Sequence, residues 1–229
     1  MREIELHEAF EIEVLEKIKN TNLTNCLVFI GGTMLRLCYD LPRYSVDLDF
    51  YLIDKPINST FLFNSIRETL AKDYYIFDVK DKKYTMVFVI GNNNYPNRLK
   101  IEIRKKYEDI KNTEHRIAYS ISHSKQVKLR TLKLEKVFIS KIEAALTRKE
   151  IRDFFDLEFL LRRGIEVDIE KDKALEIIKL CKNFKAYQFK VKLGSLLLKD
   201  MRDYYSQKGF EFLISKLARF ADKQNRKFG

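Results

Sequence analysis

Cysteine is scarce in this chain. Cys26, Cys38 and Cys181 are odd in number, far apart and without the paired spacing of a zinc site or a disulfide framework. That excludes a stapled secreted scaffold, and the three read as buried thiols in a reducing compartment. Long apolar runs are missing too, since no stretch approaches the length needed to cross a bilayer. The opening MREIELHEAFEIEV is acidic and amphipathic, where a secretory leader would be basic and then continuously apolar. A cytoplasmic location with no membrane partner is the expectation. Proline is absent after Pro96, and no low-complexity linker or internal repeat marks the second half. A domain boundary must therefore be read from periodicity.

Acidic charge is in deficit. Lys and Arg number 44 against 33 Asp and Glu, a formal charge of +11 with a pI near 9.4, which points to an anionic partner. Polyphosphate and nucleic acid are the common ones, because basic side chains concentrate phosphate and release its counterions. The same balance also serves plain solubility, so composition does not choose. With 45% apolar residues over 229 positions there is enough material for two small cores.

Leu6, Phe10, Val14 and Ile18 recur every four residues, predicting an amphipathic helix over the first twenty residues with one apolar stripe. LVFI, 27–30, is a short apolar strand ended by Gly31 and Gly32, and Thr33 is placed to cap a short helix through Tyr39. VDLDFYLI then alternates: Val46, Leu48, Phe50 and Leu52 point one way, Asp47, Asp49 and Tyr51 the other. A helix over 59–72, strands at YYIFDV and YTMVFVI, the turn GNNNYPN, and an alternating strand RLKIEIRK follow. In the last, Leu99, Ile101 and Ile103 form the apolar face and Lys100, Glu102 and Arg104 share the other. From 133 to 224 the period is 3.6, with Gly164 suited to a helix C′ position and three or four helices after the first long one. The expectation is an α+β fold: a mixed sheet with flanking helices over 1–120, then a helical bundle over 121–229.

Two carboxylates one residue apart on a strand share a face, roughly 6 to 7 Å apart. Hard oxygen ligands at that spacing suit divalent metal, and two such ions can activate a hydroxyl and stabilise departing pyrophosphate. The same pair could instead solvate an outer sheet face. Glu102, on a later strand, either joins the pair or is a surface acid balanced by Lys100 and Arg104. Gly31-Gly32-Thr33 leads from a strand into a helix, an arrangement in which bare backbone N–H groups and a hydroxyl approach a phosphate closely. Alone it is an ordinary turn, and the acid pair a short helix later makes it informative.

Taken together, GGTMLRLCYDLPRYSVDLDF, then KIEI, then SKIEAALTRKEIRDFFDLEFLL resemble the AbiEii/AbiGii family of bacterial toxin-like nucleotidyltransferases, within the polymerase β-like superfamily, over roughly residues 25 to 165. The resemblance implies that Gly32 and Thr33, with Gly31, contact the triphosphate of an NTP. It also implies that Asp47 and Asp49 hold Mg2+ or Mn2+ and that Glu102 is a third carboxylate, able to deprotonate the acceptor. Lys141 matches the lysine of the family's helical motif, and Asp153, with Asp156 as the competing match, the acid that follows it. Arg43 and Ser45 match an Arg and a Ser or Thr that could touch phosphate or cap the strand loop.

Lys141, Ala145 and Arg148 follow i, i+4, i+7 and form a cationic ridge beside an apolar stripe of Ile142 and Leu146. Facing a cleft, the ridge would neutralise transferring phosphate. Facing solvent, Arg148, Arg152, Asp153 and Asp156 would form local surface pairs. His7, His115 and His123 read as polar surface residues without chemistry, and Phe154, Phe155 and Phe159 as core. The leading expectation is nucleotidyl transfer from NTP to an acceptor hydroxyl, with RNA, particularly the tRNA acceptor end, and a cognate antitoxin as implied partners. A metal-dependent nuclease, reading Asp49 with Glu102-Ile103-Arg104, and a non-catalytic basic RNA- or partner-binding protein are the alternatives.

Overall fold

Leu27–Ile30 has no polar face, and a strand of that kind must be covered on both sides. The computed structural model describes residues 2–53, 58–165 and 168–227, and in it this run, β1, lies inside a seven-stranded mixed sheet. Each flank of β1 has its own partner. β2 (Asp47–Ile53) pairs with it antiparallel and β7 (Val127–Leu132) parallel. Beyond β2 come β5 (Leu99–Glu108, parallel to β2), β4 (Thr85–Gly91) and β3 (Tyr75–Asp81), and beyond β7 lies β6 (Thr113–Ala118). The order across the sheet is β3-β4-β5-β2-β1-β7-β6.

Packing divides the chain into two units. One comprises residues up to Asp40 together with Tyr44–Lys133, and the other Leu41–Arg43 together with everything from Leu134 onward. The sheet unit runs past the 120/121 boundary expected from periodicity because β7 belongs to it. In β6 the run Glu114-His115-Arg116 breaks the apolar pattern, whereas β7 does alternate, Val127, Leu129 and Thr131 inward against Lys128 and Arg130, but is only six residues long and adjoins the helical period that starts at 133.

In the sheet unit, α1 (Glu3–Lys19) buries Phe10, Val14 and Ile18 as its spacing predicts. Phe10 stacks on Tyr95 with centroids 4.5 Å apart. Burying a side chain of this size stabilises by about 1.5–3 kcal/mol. The buried arc is wider than one stripe, because His7, Glu8 and Glu11 are inside too. Glu8 accepts from Arg36 Nε and Ser120 Oγ, both at 2.6 Å. Neither Glu11 oxygen has a hydrogen-bond partner among the described residues, although His7 Nε2 lies 3.8 Å from Oε1, and burial, then Glu8 and Asp47, push its carboxyl well above the usual range. α2 (Gly31–Tyr39) follows β1 directly. In α3 (Ser59–Ala71) the Asn58 side chain caps the first turn by accepting from Phe61 N–H at 2.9 Å, and Leu62, Ile66 and Leu70 face inward.

The second unit is helical: α4 (Leu134–Arg148), α5 (Ile151–Arg162), α6 (Lys171–Asn183), α7 (Lys199–Lys208) and α8 (Glu211–Lys227), with an irregular helical stretch over 188–196. Gly164 ends α5 at φ +79°, as a C′ glycine should. Phe154, Phe184, Phe189 and Phe210 form a contiguous ring cluster at its centre. Fully buried Glu158 accepts from Tyr205 OH (2.9 Å), Leu213 N–H (3.1 Å) and Arg162 Nη2 (2.9 Å), joining α5, α7 and α8. The three cysteines are unpaired. Cys181 is buried, as expected of all three, whereas Cys26 and Cys38 are only half-buried. Burial pushes the Cys38 thiol up to about 12.

Candidate active site

The acidic strand begins at Asp47. Val46, expected on its apolar face, is 43% exposed, because pairing with β5 starts one residue later. From there the alternation holds. Leu48, Phe50 and Leu52 are buried to 1% or less, and the Asp47 and Asp49 side chains lie on the other face.

What brings a third acid to that face is register. β2 and β5 run parallel with Asp47 beside Lys100, Asp49 beside Glu102 and Tyr51 beside Arg104. Residues side by side in adjacent strands point the same way, about 4.8 Å apart. Glu102 is thus a neighbour of Asp49, within a charged row closed by two cations. Lys100 Nζ lies 2.8 Å from Glu102 Oε2 and 3.9 Å from Asp47 Oδ2, and Arg104 Nε lies 3.2 Å from Glu102 Oε1. The reverse face of β5, Leu99, Ile101 and Ile103, is sealed.

Ile30 pairs with Asp49 across β1 and β2, so the next residue, Gly31, falls beside that aspartate. Gly31 has φ +86°, and a β-carbon on it would sit 2.6 Å from Asp49 Oδ2. Only glycine fits. The helix begins at Gly31 itself, with Ile30 as N-cap, so Thr33 does not cap it. Thr33 is fully buried, and its hydroxyl donates to the Asp47 carbonyl at 2.6 Å. His7 from α1 approaches the preceding carbonyl, with Nε2 3.0 Å from Val46 O. Two side chains from two helices therefore fix the start of the acidic strand. His7 was expected at the surface; its place on the apolar side of α1, one turn from Phe10 and Glu11, is the signal that reading passed over. Ser45 is half-buried just ahead of the strand.

The electrostatics follow from this crowding. Burial raises the Asp49 carboxyl to about 6, with Glu102 and Asp47 adding to the rise and Arg104 and Lys100 opposing it. Burial also acts to raise Glu102, but Lys100 and Arg104 outweigh it and hold that carboxyl below its usual range. Among the described residues no three His, Cys, Asp or Glu side chains converge as a ready-made metal cage. The donor set nonetheless suits Mg2+, which keeps much of its water and takes one or two carboxylates plus substrate phosphates. Asp47, its side chain 41% exposed, and its neighbour Asp49 offer that pair.

The remaining candidates lie in the helical unit, and they form a buried ion cluster, neither the open cationic ridge nor the solvated face that periodicity allowed. Arg43 grips Asp156 with two bonds, Nε to Oδ1 at 2.6 Å and Nη2 to Oδ2 at 2.7 Å. Lys141 Nζ reaches Asp156 Oδ2 at 2.6 Å and Asp153 Oδ1 at 3.4 Å. Arg148 Nη2 reaches Asp153 Oδ1 at 2.8 Å. Arg43, Asp153 and Asp156 are at most 3% exposed and Lys141 7%, while Arg148 keeps its side chain 45% open. Burial works to raise Asp156, yet Arg43 and Lys141 together hold it below the usual carboxylate range. Arg43 is thus engaged with a carboxylate where a phosphate contact or a strand cap was expected. Asp153 Oδ2 is buried without a partner among the described residues.

JHP933 from Helicobacter pylori is similar in fold, with a TM-score of 0.60 at 20% identity over 96% of this chain and 94% of that one. A Helicobacter pylori protein described as a candidate nucleotidyltransferase matches with a TM-score of 0.60 at 22% identity, over 95% of this chain and 96% of that one. No match was found among curated proteins. The family model described as nucleotidyl transferase AbiEii toxin, type IV toxin–antitoxin system, matches residues 13–224, so the α+β chain belongs to the AbiEii nucleotidyltransferase toxin family.

Proposed function

We propose that the protein transfers a nucleoside monophosphate from an NTP to a hydroxyl of RNA, with the tRNA acceptor end as the favoured acceptor, in the cytoplasm and under the control of a cognate antitoxin. The family carries the reaction class. The observation supporting the residue assignment is the row on one sheet face: Gly31 against Asp49, and Asp49 beside Glu102. The basic charge favours RNA over an uncharged acceptor.

In this reading Asp47 and Asp49 would hold Mg2+ or Mn2+, and the ion would supply polarisation of the phosphates and a lower pKa for the attacking hydroxyl. Gly31 and Gly32 present first-turn N–H groups of α2 to the triphosphate, where the helix has no partners of its own for them. Thr33 acts through the Asp47 backbone, keeping the aspartate in place. Glu102 is the third carboxylate, positioned to accept the acceptor's proton. Lys141, Asp153 and Asp156 serve as the family's helical motif, with Arg148 as its solvent-reaching cation.

Incubating the full chain with Mg2+, total cellular RNA or protein, and each labelled triphosphate in turn tests this. Label should enter RNA and vanish in Asp47→Asn/Asp49→Asn, whose RNA binding should persist. Shortening of the RNA would instead indicate nuclease action, and equal incorporation by the double variant would exclude the assignment.

A further inference from the structure

The charged row on β2 and β5 contains two cations with no role in the site as assigned. Lys100 and Arg104 flank Glu102 on the open face of the sheet, with side chains 38% and 43% exposed, while Glu102 between them is 19% exposed. A pair of surface ion contacts of this kind contributes only about 0–1 kcal/mol to stability, so folding alone gives little reason to hold two cations there. Their placement is specific: register sets Lys100 beside Asp47 and Arg104 beside Tyr51, two residues beyond Asp49 on the same face.

Charge counting sharpens the point. Three carboxylates and two cations leave the row at −1. One divalent ion on the aspartates would turn it to +1, weakening the hold of the acids on the cations and making the face complementary to a polyphosphate. Arg104 also offers planar, two-pronged donors suited to phosphate oxygens, and Lys100 a mobile point charge on a long stem.

Resting on the nucleotidyl-transfer reading above, we infer that Lys100 and Arg104 are the residues that grip the triphosphate, exchanging their contacts with Glu102 for phosphate oxygens when the nucleotide arrives. Glu102 is the resting partner of both cations. Once they turn to phosphate, its carboxylate is released on the same face, beside Asp49, where the third acid is needed. The arrangement couples nucleotide binding to the availability of that acid without any backbone movement.

The test uses the full chain and inorganic tripolyphosphate, the part common to every NTP, titrated by calorimetry with and without Mg2+. Lys100→Gln/Arg104→Gln should weaken tripolyphosphate binding in Mg2+ at least tenfold. Removing two positive charges next to the aspartates should leave Mg2+ binding unchanged or tighter. Lys100→Arg should keep most of the affinity, and Lys179→Gln, an exposed lysine of α6, should show the effect of net charge alone. Unfolding temperature of each variant confirms that the fold is kept. Tripolyphosphate affinity within twofold of wild type in the double variant overturns the inference and makes both cations mere counter-charges. Failure of the wild-type chain to bind tripolyphosphate with Mg2+ overturns the nucleotidyl-transfer reading, and this inference with it.

Discussion

Gly31 and Asp49 are packed so closely that no methyl group fits between them: a β-carbon on the glycine would stand 2.6 Å from Asp49 Oδ2. The glycine also sits at φ +86°. Gly31→Ala therefore meets a collision and backbone strain together, and should destabilise by about 1–3 kcal/mol while displacing the carboxylate. Gly164→Ala is the contrast, because φ is +79° there but nothing lies within 4 Å. It should cost about 1 kcal/mol and leave activity intact. Urea unfolding and nucleotide incorporation, measured on both variants, separate strain from loss of function.

Asp49→Asn should abolish activity and raise stability. The folded carboxyl ionises at about 6 against an ordinary value of 3.8. Between those values the folded chain holds a proton the unfolded chain has lost, so stability falls as pH rises from 3.8 to 6 and stays low above. The penalty at neutral pH is at most about 3 kcal/mol. Removing the charge should lift the unfolding temperature of metal-free protein at pH 7.5 by several degrees, and the gain should disappear at pH 4. No rise at pH 7.5 would contradict the burial of this acid.

Arg43 and Asp156 make a buried, two-pronged ion pair in the helical unit. Arg43→Leu alone leaves buried Asp156 without its two-pronged partner and should cost about 3–5 kcal/mol. The double change Arg43→Leu/Asp156→Leu should cost markedly less than the sum of the singles, which a double-mutant cycle by urea unfolding reads directly. The folded carboxyl of Asp156 lies below its unfolded value, so its contribution is full above the unfolded value and lost as pH falls through the folded one. Acid unfolding below pH 4 should therefore be shallower in the double variant.

Thr33→Val removes the hydroxyl that holds the Asp47 carbonyl while keeping the buried volume. A loss of about 1–2 kcal/mol is expected from the unsatisfied oxygen, with weaker Mg2+ binding as the start of the strand loosens. Thr33→Ser keeps the donor and should spare metal affinity, so calorimetric Mg2+ titration of the pair distinguishes a lost bond from lost packing.

Local pattern carried most of the sheet unit's central part. Strict alternation placed Asp47, Asp49 and Glu102 on polar faces, and the glycine pair marked the bend before α2. Two things were beyond it. Parallel pairing of β2 with β5 is a long-range event across an intervening helix and hairpin, so the neighbours of Glu102 became definite only with the register. In the helical unit, periodicity put Lys141 and Arg148 on one side of α4 but could not foresee that Arg43, about a hundred residues earlier, would bind Asp156, nor that Lys141, Asp153 and Asp156 would be buried while Arg148 stays half open. β6 is hidden by its run Glu114-His115-Arg116, whereas β7 alternates as a half-buried strand should and was legible in the sequence, though passed over.

Leu41–Arg43 fold with the helical unit although they stand between α2 and the acidic strand in sequence. The chain therefore crosses from one unit to the other three times, and no single cut separates them. A fragment ending at Lys133 would carry a tripeptide stripped of the carboxylate it was built to meet, and a fragment starting at Leu134 would lack the arginine that neutralises Asp156. Expression of either half alone should yield a weakened product, while the halves supplied together, as two chains, should reassociate through that short segment.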